Sequence, residues 1–178
     1  ALSPFCTNDE LKTGNLSLAE FISGNADFMG KKTTGYVKPL FLKSFLVKTK
    51  VEYWPEVRIG EDYYFLASCL AANAVAKVLD FFGYVYTIRG DSISGQLTEG
   101  HISRFQWGDR KFVEMYELNK SENAALKIRN RNLSNTKAYI LLVKSIKRKK
   151  ILKSLSIAVI NPTACRLLWL PIRKRLLS

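Results

Sequence analysis

Gly60-Glu61-Asp62-Tyr63-Tyr64-Phe65 places two adjacent carboxylates where a helix is expected to begin. Acids in a first turn lie in the positive field of the helix N-terminus, worth about 0.3–1 kcal/mol each on exposed sites. Helix initiation therefore accounts for Glu61 and Asp62 by itself. The chemical alternative is a general base: a carboxylate that takes the proton of an attacking hydroxyl within hydrogen-bond reach. The second acid would then orient the acceptor. Both readings stand on the spacing alone.

Other residue types bound the chemistry. His101 is the only histidine, so a multi-histidine metal centre is excluded. Cys6, Cys69 and Cys165 are far apart and form no C-x-x-C pair, which gives neither a disulfide framework nor a thiolate zinc site. Cys69 falls on an apolar helical face and reads as a buried, inert thiol. Arg89 is either a bidentate partner for a diphosphate or a solvent-facing strand residue. Lys38 carries the same pair of alternatives. His101 is either a capping residue near a helix start or a lone metal ligand.

Several elements must position these groups. Ser17 and Glu20 have capping-box spacing ahead of Phe21 and Ile22, which predicts a short helix ending at Gly24-Asn25. Phe41/Phe45 and Leu42/Leu46 repeat at four residues and predict a helix with Pro39 in its first turn. Pro55 and Gly60 bracket a short extended segment. The helix from Glu61 places Phe65, Leu66, Cys69 and Leu70 on one face and closes at Asn73. Ala74–Asp80 and Tyr84–Arg89 read as β runs, with Tyr84 and Tyr86 in the core or at its rim, so residues 1–103 are expected to be mixed α/β.

The chain has 178 residues, and its net charge of +13 is unevenly placed. Residues 104–178 hold 18 Lys+Arg against 4 Asp+Glu, whereas residues 1–103 are close to neutral, so a boundary is expected near residue 103. Helices are predicted after His101, from Ser121, from Ser134–Thr136 and after Asn161-Pro162. Gly108 is a possible interruption of the first. No uncharged apolar run approaches the roughly 18 residues of a spanning helix. Basic residues mixed with Trp169 and aliphatic side chains suit a helix lying on an anionic membrane. Nucleic acid is a weaker rival, because the region contains no recognisable nucleic-acid module. Packing of the extension on another part of an enzyme is the third option.

Gly35-Tyr36-Val37-Lys38-Pro39-Leu40-Phe41, then Gly60-Glu61-Asp62, then Tyr84-Val85-Tyr86-Thr87-Ile88-Arg89 and Ser92-Ile93-Ser94 form an ordered series. It resembles the second half of the catalytic domain of family 2 glycosyltransferases, most closely bacterial exopolysaccharide enzymes of the succinoglycan type, over residues 16–103. The resemblance implies an α/β fold of GT-A type and inverting transfer of a sugar from a nucleotide-sugar, such as a UDP-sugar, to a lipid-linked saccharide at the cytoplasmic face of the plasma membrane. It makes Asp62 the base and Glu61 its acceptor-side neighbour. Gly35, Lys38 and Arg89 fall on the donor side, and His101 in the shell of a Mg or Mn ion. The family's nucleotide-binding half, with its Asp-x-Asp motif, normally precedes the Gly35 region. Only 34 residues do so here, Asp9-Glu10 and Asp27 make no such motif, and Ala1 is not an initiator methionine. The expectation is the C-terminal portion of a longer enzyme, without most of the donor site. A non-catalytic basic adaptor for anionic lipid or nucleic acid is the alternative.

Overall fold

The computed structural model describes residues 13–28, 38–79, 81 and 97–176, with side chains up to Trp169. Strand β1 (Gly14–Leu16) leads into α1 (Leu18–Gly24), and α2 (Lys43–Thr49), α3 (Glu61–Ala71) and strand β2 (Ala76–Val78) follow. Four helices complete the described chain: α4 (Glu99–Met115), α5 (Lys120–Lys147), α6 (Ile151–Ile160) and α7 (Pro162–Leu176).

The architecture is mainly helical, which corrects the α/β expectation and the GT-A-like fold implied by the resemblance. The one sheet among the described residues is an antiparallel pair, Gly14 opposite Val78 and Leu16 opposite Ala76. A doubly wound fold needs parallel strands covered on both faces. Here the apolar residues recur at helical spacing instead, and helices supply nearly all of the core. Tyr84–Arg89, the other expected β run, lies outside the described residues.

Local chemistry explains most helix boundaries. Ser17 caps α1 by accepting from the Glu20 amide, while the Glu20 carboxylate accepts from the Ser17 amide at 2.9 Å. Helix α2 begins at Lys43, four residues past Pro39, so its start falls later than the repeat predicts. Residues 55–60 form turns and bends where a short extended segment was expected. Gly108 does not interrupt α4. Asn119, two residues ahead of Ser121, caps α5 through bonds to the Ser121 and Glu122 amides. Pro162 opens α7 as expected.

Helix α5 runs unbroken through Ser134–Thr136, where a new helix start was expected. The Ser134 hydroxyl donates to the Asn130 carbonyl at 3.0 Å, and Thr136 is buried. Satisfying a hydroxyl on the preceding turn removes its competition with the helix.

The main core joins Phe21 and Ile22 of α1, Tyr63, Tyr64 and Ala67 of α3, Ile102, Phe105 and Phe112 of α4, and Leu126 and Leu133 of α5. Full burial of such side chains contributes about 1.5–3 kcal/mol each. A smaller cluster of Val51, Phe65 and Cys69 holds α2 through Phe45 and Leu46. A third, around Ala138, Leu142 and Ala164, joins α5 to α7.

Candidate active site

The segment before α3 is anchored before it reaches the acids. Val51, Trp54 and Val57 are buried, the Trp54 ring stacks on Tyr64 at 5.0 Å, and the Val57 amide donates to the Trp54 carbonyl. Lys111 of α4 adds an ion pair to Glu56 at 3.4 Å and lies over the Trp54 ring. A backbone hydrogen bond, assisted by Lys111, holds the Glu56 carboxyl below its ordinary range.

Gly60 then turns the chain into the helix. Its φ of +79° is left-handed, and a Cβ there would stand 2.5 Å from Cε1 of Phe105. Only glycine meets both demands without a shift. Its carbonyl accepts from the Tyr63 and Tyr64 amides at 3.1 and 3.3 Å, which starts α3 directly ahead of its acids.

Asp62 is held between a tyrosine and a lysine. The Tyr53 hydroxyl donates to its Oδ1 at 3.3 Å, and Lys38 Nζ lies 3.7 Å from its Oδ2. The Asp62 and Lys38 side chains are 46% and 48% exposed, so the carboxylate can meet a substrate from solution. The Tyr53 ring stacks on Phe65 at 4.2 Å with 6° between the planes, which fixes the direction of its hydroxyl. Burial, together with the charge of Asp62, raises the Tyr53 hydroxyl above its ordinary range, so it stays a protonated donor. Glu61, half-buried, precedes Asp62 in the same first turn.

Of the residues singled out from the sequence, Asp62, Glu61 and Lys38 come together, Lys38 directly on the Asp62 carboxylate. Gly35 and Arg89 lie outside the described residues. His101 closes a capping box at the start of α4: its Nδ1 accepts from the Thr98 amide and its own amide donates to Thr98 Oγ1, both at 3.3 Å. One ring nitrogen is thereby engaged in the cap. Among the described residues no group of three or more His, Cys, Asp or Glu could hold a metal ion. Around His101 the described residues therefore do not supply a metal shell.

Sequence reasoning missed two features. Tyr53 was not singled out; an aromatic nine residues before an acid carries no local signal. The second feature lies behind the site. Asp109 and Arg129 are both buried, with Arg129 Nε 3.2 and 3.3 Å from the two carboxylate oxygens. Arg129 Nη1 donates to the Asn25 carbonyl at 2.6 Å, and the guanidinium lies 3.8 Å from the centre of the Tyr63 ring. The Tyr64 hydroxyl is 2.8 Å from Asp109 Oδ1 and 2.7 Å from the Phe105 carbonyl. Burial pushes the Asp109 carboxyl up, opposed by Arg129. The network ties α1, α3, α4 and α5 together directly beneath the first turn of α3.

A half-exposed acid pair on the first turn of a packed helix defines this as a helical protein with a surface carboxylate site. Two curated proteins are similar to it, both from Rhizobium meliloti (strain 1021). Succinoglycan biosynthesis protein ExoO is 32% identical over 176 residues, 99% of this chain and 51% of that protein. Succinoglycan biosynthesis protein ExoU is 30% identical over 120 residues, 66% of this chain and 35% of that protein. The chain spans about half the length of ExoO and about a third of ExoU. No protein-family model and no solved structure matches it.

Proposed function

We propose that this chain takes part in exopolysaccharide biosynthesis as the acceptor-side portion of an inverting glycosyltransferase, with Asp62 as general base. The observation that carries this reading is the half-exposed Asp62 carboxylate, aimed by Tyr53 and Lys38, in a chain nearly all of which aligns with about half of a succinoglycan biosynthesis protein.

The chemistry is a single displacement. Asp62 takes the proton of an acceptor hydroxyl as that oxygen attacks the anomeric carbon of a nucleotide-sugar. The bond to the diphosphate breaks, and the nucleoside diphosphate leaves with the electron pair. Tyr53 and Lys38 each engage one oxygen of Asp62 and keep the carboxylate from rotating. Glu61 orients the acceptor sugar, here a lipid-linked saccharide. Gly35 and Arg89 remain donor-side candidates by resemblance.

The test is Asp62→Asn in the full-length protein. Asparagine keeps the shape and cannot take the proton. Transfer should fall by about 10²–10⁴-fold, the usual contribution of a positioned base. Nucleotide-sugar affinity should stay close to that of the native protein. Normal turnover by this variant would remove Asp62 from the mechanism.

A further inference from the structure

Helix α6 carries one charge, Lys153, in ten residues, and its apolar side chains are not gathered on one buried stripe. Ser154, Ile157 and Ala158 are half-buried, and Ile157 packs on the small cluster that joins α5 to α7. On the other side Leu152 is 85% exposed and Val159 80%, with Ile151, Leu155 and Ile160 exposed beside them. A helix that is apolar all round belongs inside a protein or in a lipid phase. Between α5, α6 and α7 an open groove of about 310 Å³ is lined by Leu142, Ile146, Leu155 and Leu168, together with Lys149 and Lys150.

Charge selects the occupant. The helix is preceded by Lys147-Arg148-Lys149-Lys150, Arg166 follows on α7, and no acidic residue occurs after Glu122. An apolar face flanked along the chain by cations and by no acid is complementary to an anionic bilayer surface, where each basic residue strengthens binding and the aliphatic side chains enter the acyl boundary. Trp169, 58% exposed on α7, is of the type that settles at headgroup depth.

No single helix among the described residues is long and apolar enough to cross a membrane. Helix α6 and the first part of α7 reach that length and composition only as a pair, and the pair is bent by 106°, which favours lying along a surface over a straight span. Ten residues rise about 15 Å, half the roughly 30 Å of a hydrocarbon core. We propose that the elbow of α6 and α7 docks on an anionic lipid bilayer, with α6 lying in the interface and Leu152 and Val159 inserted.

Vesicle flotation of the full chain tests this, using phosphatidylcholine alone and phosphatidylcholine mixed with phosphatidylglycerol. The chain should partition at least about tenfold more strongly onto the anionic vesicles, and less so as salt is raised. Leu152→Asp with Val159→Asp should lose about tenfold or more. Lys147→Gln and Lys153→Gln should each lose about fivefold. All four positions are exposed, so helix content by circular dichroism should not change. Tryptophan emission should shift to the blue on binding, and Trp169→Phe should lose that shift. Equal partition onto neutral vesicles, or no partition, would overturn the assignment. So would self-association abolished by Leu152→Asp, which would make the face a contact with a second copy. Retention on single-stranded RNA but not on vesicles would assign the cations to nucleic acid instead. Partition is read without any sugar substrate, so its failure is separable from a failure of the Asp62 reading.

Discussion

Asp62 and Asp109 each sit with a tyrosine hydroxyl and a basic side chain, and the two sets behave as opposites. Around Asp62 the contacts are long, 3.3 Å to Tyr53 and 3.7 Å to Lys38, and the two charged side chains are about half exposed. Around Asp109 they are 2.8 Å to Tyr64 and 3.2 Å to Arg129, and neither charged side chain is more than 3% exposed. Water screens the first pair, which is worth about 0–1 kcal/mol to the fold. The second lies where an unpaired charge is very costly, so every partner counts. Residue type alone therefore does not mark a reactive acid. The acid proposed to react is the one left accessible to solution on a rigid base.

The comparison breaks first at Asp109. Asp109→Asn leaves the Arg129 guanidinium buried without its counter-charge and should cost about 3–5 kcal/mol, read from the urea midpoint. Asp62→Asn should change stability by less than about 1 kcal/mol. Replacing both buried charges, as in Asp109→Leu with Arg129→Met, should cost less than the sum of the two single changes.

Gly108→Ala probes the same network by volume. A Cβ at Gly108 would lie 2.4 Å from Cζ of Tyr64, so the ring must move and about 1–3 kcal/mol should be lost. At the exposed set the effect moves from stability to rate. Tyr53→Phe keeps the stacking on Phe65 and removes only the bond to Asp62. It should slow transfer about tenfold, the scale of one hydrogen bond to a charged group, with an unchanged urea midpoint.

The smallest effect is expected at Cys69. Burial disfavours its thiolate and pushes the thiol up to about 11, whereas Cys165 is exposed. In a Cys6→Ser/Cys165→Ser background, alkylation of native protein should rise toward pH 11. The unfolded chain should react near the ordinary thiol range of about 8.5. Because the folded pKa is raised, this group's contribution to stability is fully present below the unfolded thiol range and is lost as pH rises from there to about 11.

What could be read from the sequence was local. The Ser17–Glu20 box, the start of α3 at the acid pair and Pro162 at the head of α7 each depend on residues within one turn. Tyr53–Asp62 and Asp109–Arg129 depend on how helices pack, and no spacing rule joins residues 9 or 20 apart across different elements. The α/β expectation erred because Ala74–Asp80 and Tyr84–Arg89 read as β runs and a resemblance carried by short motifs was extended to the architecture. Only Ala76–Val78 of the first run is a strand, the second lies outside the described residues, and the apolar periodicity elsewhere builds helices. Helix α5 was divided at Ser134–Thr136 because its hydroxyls read as a cap, a role that bonding to the preceding turn removes.

The most direct test of Asp62 as the base pairs two readings on Asp62→Asn in the full-length protein: sugar transfer to acceptor and nucleotide-sugar binding. Transfer lower by about 10²–10⁴-fold, with binding and urea midpoint unchanged, is the predicted result. Transfer at the native rate, or transfer lost only together with binding or folding, would contradict it.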